Sequence, residues 1–121
     1  MTYEEFNAFC KELPATTYVV QWGGAHVWKV GGKVFAIGGW EKSGGPAYTF
    51  KVSDSDFHFL CERADYRPAP YLASRGMKWV QQFENPGNDH EELKHYLVES
   101  HRLVSLGLTK KAQKDLGLNQ E

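Results

Sequence analysis

The stretch RPAPYLASRGMKWV, Arg67 to Val80, decides the fold when it is read with ESHRLVSLGLTKKAQKDLG, Glu99 to Gly117, further along the chain. Pro68 and Pro70 cannot donate a backbone hydrogen bond and bias the residues before them away from helix, so Arg67–Pro70 must run as an extended connection. Met77 to Phe83 then reads as a strand, and Asn85-Pro86-Gly87-Asn88 as a turn. From Asp89 to Leu106 the residues Leu93, Tyr96, Leu97, Ser100, Leu103 and Val104 fall on one stripe at helical period, which predicts the longest helix of the chain. Gly107 is placed to end that helix as a left-handed cap.

Working towards the N-terminus, four aromatic and β-branched runs predict strands at about Thr17–Trp22, His26–Val30, Val34–Trp40 and Ala47–Val52. Gly23-Gly24, Gly31-Gly32 and Ser43-Gly44-Gly45-Pro46 separate them, a spacing that favours an antiparallel meander. A first helix precedes the strands: Thr2 and Glu5 form a capping box, and Phe6, Phe9 and Leu13 lie near one face before Pro14 stops it. A short second helix starts at Ser53, with Asp56 as a weaker box partner and Phe57, Leu60 and Cys61 on its apolar side.

The 121 residues, 41% hydrophobic and 14% aromatic, suit one domain over 1–121. Lys and Arg number 14 against 15 Asp and Glu, so no global attraction draws the chain to nucleic acid or an anionic membrane, and a polyanion site must be local. No apolar run approaches the ~18 residues of a spanning helix and no secretory pattern opens the chain, which predicts a cytoplasmic protein without a membrane partner. Cys10 and Cys61 are too few and too far apart for a disulfide framework or a metal knuckle.

Period-two reading of the strands places Tyr18, Val20, Trp28, Val30, Tyr48, Phe50, Val52, Met77, Trp79 and Phe83 against the helices. The other side would carry Val19, Gln21, Val27, Lys29, Thr49, Lys51, Lys78, Val80 and Gln82, an uncovered face with three lysines. Residues 26–83 hold eight basic side chains against five acids, whereas Glu84, Asp89, Glu91, Glu92 and Glu99 load the long helix with negative charge before Lys110, Lys111 and Lys114. Sheet and tail are expected to be positive.

Other motifs dissolve on inspection. His90 and His95 imitate a zinc-protease helix but stand five apart, diverging by about 140° on a helix, so no metal is expected there. The glycine pairs form no phosphate loop and match hairpin turns. His26, His58 and His101 have no nucleophile or carboxylate at a catalytic spacing, so neither an enzyme nor a cofactor is predicted. The four tryptophans read as core or edge packing, with Trp40 expected to be the most exposed.

Nearly the whole chain resembles the MmcQ/YjbR group of small proteins. Trp28-Lys29-Val30 and Gly32-Lys33-Val34-Phe35 match its strand pattern, Ala69-Pro70-Tyr71 its proline–tyrosine element, and Lys78-Trp79-Val80 its tryptophan strand. Ser100-His101-Arg102-Leu103-Val104 with Lys110-Lys111 matches its final helix and basic end. The chain departs from the pattern at Ala47-Tyr48-Thr49-Phe50, where a more charged strand is frequent, and at His101, where Tyr is common. The resemblance implies a two-layer α+β domain similar to the type III secretion chaperone-like folds, with an antiparallel sheet of about five strands, helices on one face, and a double-wing mode of DNA binding. Its motif residues fall on Pro70, Tyr71, Trp79 and Ser100.

Two functions follow as expectations. One is weak, sequence-independent DNA binding through the positive sheet face, with phosphate contacts from Lys29, Lys33, Lys51, Arg75 and Lys78 and no base-reading helix. The other is a protein-interaction module that takes an extended partner strand on the same face or its edge.

Overall fold

Helix α1 (Tyr3–Glu12) begins where Thr2 and Glu5 close the capping box: Thr2 Oγ1 accepts the Glu5 N–H and Glu5 Oε1 accepts the Thr2 N–H, both at 3.1 Å. The Thr2 backbone N–H holds the Glu5 carboxyl below its ordinary value. The computed structural model describes residues 1–39, 46–70, 77–83 and 90–120. After α1 come β1 (Thr16–Gln21), β2 (Ala25–Val30), β3 (Lys33–Gly38), β4 (Tyr48–Lys51), α2 (Asp54–Cys61), β5 (Tyr66–Pro68), β6 (Trp79–Gln82), α3 (His90–Leu106) and α4 (Lys110–Asp115). No helix among the described residues is long and apolar enough to cross a membrane.

The strands form one antiparallel sheet in the order β1-β2-β3-β4-β6-β5. The sixth strand is β5, which the sequence marks only as an extended proline connection. Three residues are too few to display a period, and Pro68 is tolerated because β5 lies at the edge of the sheet. Between β2 and β3 the register shifts at Trp28/Lys29: Trp28 pairs Ala36 and Lys29 pairs Val34, leaving Phe35 as a bulge residue.

Helices α1, α2 and α3 cover one face. Phe6, Cys10, Trp28, Val30, Phe35, Tyr48, Phe50, Leu60, Leu93 and Leu97 are buried in that single core, each large side chain contributing about 1.5–3 kcal/mol by leaving water. Gly38 belongs there because an added Cβ would stand 2.8 Å from the Phe6 ring. Burial also raises the Cys10 thiol well above its ordinary value, leaving it neutral.

The end of α3 differs from expectation. Gly107 is not left-handed; its N–H donates to the Val104 carbonyl at 3.0 Å and the Leu108 N–H to Ser105 at 3.1 Å, a tight turn that leads straight into Thr109. Thr109 Oγ1 accepts the Ala112 N–H at 3.0 Å and so starts α4. The left-handed glycine that receives this corner is Gly31, in the β2–β3 hairpin, where Leu108 and Leu116 press against the backbone.

Candidate functional site

Strand pairing fixes which side chains share the second face of the sheet, the face away from the helix-side core. One row crosses all six strands as Val19, Val27, Ile37, Thr49, Gln81 and Arg67. It changes from apolar to polar to cationic. Gln81 Nε2 donates to Thr49 Oγ1 at 3.2 Å, and Arg67 Nε donates to Gln81 Oε1 at 2.9 Å. The Arg67 guanidinium also lies over the Phe83 ring, 4.3 Å from its centre. Val27, Ile37, Thr49 and Gln81 are buried, so the centre of this face is a second, smaller apolar and hydrogen-bonded layer and not the uncovered surface expected from alternation.

Beside that row the face opens into a cleft of about 420 Å³. Val34 and Ile37 of β3, Lys51 of β4, and Met77 and Trp79 at the start of β6 line it, with Trp22 from the β1–β2 hairpin and Lys33, Val104 and Gly107. Trp22 sits at φ 50°, a left-handed turn position, and is 49% exposed. Trp79 is only 5% exposed, and its indole N–H is buried without a hydrogen-bond partner among the described residues. Lys33 Nζ donates to the Gly107 carbonyl at 3.2 Å, which ties β3 to the end of α3.

The site residues named from sequence fall into four groups. Lys33 and Lys51 meet at the cleft, and Lys29 lies on the same face, opposite Val34 on the neighbouring strand. Lys78 does not join them: its ammonium lies 4.9 Å from the centre of the Phe57 ring of α2, on the helix side. Arg75 and Tyr71 lie outside the described residues, as does Trp40. Pro70 is partly buried just after β5, and Ser100 is fully buried on α3 against β3 and β4.

The displacement of Lys78 comes from the phase of β6. Phe50 pairs Val80 and Lys51 pairs Trp79, so Val80 and Gln82 face the helices while Trp79, Gln81 and Phe83 face the second layer, the reverse of the expectation. On the helix side the Gln82 amide nitrogen donates to Tyr66 Oη at 3.1 Å, while its Oε1 is buried without a partner among the described residues. Tyr18, Val20 and Met77, expected in the core, are exposed. Tyr18 and Val20 belong to edge strand β1, and Met77 precedes β6 at the cleft. Thr49 lies on the face that alternation gave it, whereas the parts played by Trp22, Gln81 and Arg67 escaped the sequence reading; an arginine beside a proline strand carries no local signal that a glutamine 14 positions on is its partner.

The electrostatics of the two layers differ. The six strands carry Lys29, Lys33, Lys51 and Arg67 and no carboxylate. Arg63, Lys94 and Arg102 on the helical side are each neutralised, Arg63 by Glu92 at 2.9 Å and Asp65 at 3.4 Å, Lys94 by Glu91 at 3.6 Å, and Arg102 by Glu99 at 2.9 Å. Among the described residues neither Lys29 nor Lys51 enters an ion pair, and no group of three or more His, Cys, Asp or Glu is placed to hold a metal ion.

The fold and the sequence have relatives. The crystal structure of Deinococcus radiodurans protein DR2400, which carries a DUF419 domain, matches with a TM-score of 0.83 and 24% identity over 97% of this chain and 88% of that one, a likeness of fold. No curated protein matches the chain. The family model YjbR matches residues 11–103, a span that takes in the sheet, α2 and most of α3. On that match over most of its length, the chain belongs to the YjbR family.

Proposed function

We propose that the second face of the sheet binds a polyanion, nucleic acid in particular, weakly and without sequence preference. The observation that carries this is the charge of the strands: every charged side chain on them is a cation, and Lys29 and Lys51 are not neutralised by neighbours among the described residues. Lys33 stands at the same end, next to the corner from which α4 carries Lys110, Lys111 and Lys114. Such side chains pair with phosphates and release condensed counterions, which supplies affinity without reading bases. The reading is of a binding protein and not of an enzyme.

The test is a triple Lys29→Gln, Lys33→Gln, Lys51→Gln variant titrated with duplex DNA of unrelated sequences. Affinity should fall about equally for all of them, and the slope of log affinity against log salt should flatten by up to ~2.7 at ~0.9 per contact. Undiminished binding by the triple variant would remove the proposal.

A second reading rests on a different feature. Edge strand β1 presents Tyr18 and Val20 as exposed alternate side chains, followed by Trp22, and an edge of this kind accepts an added strand. Salt-insensitive binding of an extended polypeptide that is abolished by Val20→Pro would support that reading over the first.

A further inference from the structure

We propose, building on the polyanion reading of this face, that the cleft takes one unstacked nucleobase together with its neighbouring phosphate, supplied by single-stranded nucleic acid. Its floor is apolar, formed by Val34 and Ile37, while Trp22 and Trp79 line it and Lys33 and Lys51 bring two ammonium groups to it. An apolar slot with an exposed aromatic wall and adjacent cations has the composition of a single-strand site: a ring stacks on the half-exposed Trp22 indole and phosphates pair with the lysines. Charge complementarity selects an anionic aromatic ligand over an apolar peptide.

The volume, about 420 Å³, lies in the range of small-ligand sites and suits a base but not a duplex, whose bases are stacked inside and cannot enter a recess. Lys33 spends one of its three ammonium donors on the Gly107 carbonyl, which positions it and leaves two for a phosphate. Among the described residues the indole N–H of Trp79 is a buried donor without a partner, and a base carbonyl that reached it would relieve that unsatisfied group. Trp22 is half-exposed on a left-handed turn.

The test measures fluorescence anisotropy of the full chain with a labelled oligothymidylate of about 15 nucleotides and a duplex of equal length, using thymidine monophosphate as competitor. Wild type should bind the single strand at least about ten-fold more tightly than the duplex. Trp22→Ala should lower single-strand affinity about ten-fold while leaving the duplex unchanged, and Trp22→Phe should restore most of the loss. Thermal unfolding of both variants checks that they are folded. Equal binding of single strand and duplex, with no response to Trp22→Ala, would overturn the inference and leave the phosphate-binding face standing. No binding to either at low salt would overturn both. If the monophosphate competes as strongly as the oligonucleotide, the base-and-phosphate chemistry is upheld and the strand as its source is overturned.

Discussion

Ser100 Oγ donates to the carbonyl of Phe35 at 2.6 Å. The same oxygen accepts the N–H of Lys51 at 2.9 Å. Ala36 pairs Phe50 and Ile37 pairs Thr49, so Phe35 and Lys51 stand opposite each other at the next position. The helix hydroxyl has taken the place of a ladder hydrogen bond at the point where the Phe35 bulge disturbs β3. Ser100 is therefore a joint between layers, and it fixes the backbone of a cleft lysine.

Ser100→Ala should destabilise the fold by about 1–3 kcal/mol, because it strands a buried N–H and a buried carbonyl together. A urea titration measures this. A loss below about 0.5 kcal/mol would mean that β3 and β4 close the gap by themselves.

Gly38→Ala should cost about 1–3 kcal/mol by overpacking, since the new methyl would lie 2.8 and 3.0 Å from ring carbons of the buried Phe6. Combining it with Phe6→Leu should recover part of that loss. A double-mutant cycle with no coupling would contradict the contact.

Stability should decline in alkali. Burial first, and then the hydrogen bond to Glu92 at 3.0 Å, raise the Tyr66 hydroxyl above its ordinary value of 10.0; burial does the same to Tyr48. A raised acid holds its proton longer in the folded state, so the contribution is complete below the ordinary value and is lost as pH rises above it. Urea midpoints between about pH 9 and pH 11 should fall for wild type. They should fall less for Tyr66→Phe, which starts from a lower plateau. An equal decline in both would remove Tyr66 as a cause.

Single lysine replacements separate the two sheet faces. Lys51→Gln should flatten the salt dependence of duplex binding by up to about 0.9. Lys78→Gln should leave it unchanged and remove only the contact with Phe57, worth about 0.5 kcal/mol of stability. Equal effects on the salt slope would show that charge position on the sheet does not matter.

Local signals gave what local interactions determine. The Thr2–Glu5 box, the Ser53 cap, the four glycine-punctuated strands and the Leu93–Leu97 stripe were all legible, because caps, turns and helical periods act within a few residues. Strand β6 was not. In Trp79-Val80-Gln81-Gln82 two apolar residues adjoin two amides, so alternation does not choose a phase; pairing with Phe50 does, and Phe50 is far away in sequence. That one choice moved Trp79 into the cleft and Lys78 out of it. Lys33 and Lys51 could be named as candidates from charge alone. Their meeting with Trp22 depends on how the β1–β2 hairpin lies relative to the sheet, which no window of sequence contains.

The separation of charge between the layers makes the molecule an electric dipole with almost no monopole. At a net charge of -1 a distant polyanion would exert little pull on it, but the field of that polyanion would exert a torque that turns the lysine-bearing sheet inward and the carboxylates of α2 and α3 outward. Such alignment acts only within about 8 Å at physiological ionic strength. Approach is then governed by orientation over the last few ångströms, and dilute salt lengthens the distance over which the protein arrives with the correct side forward.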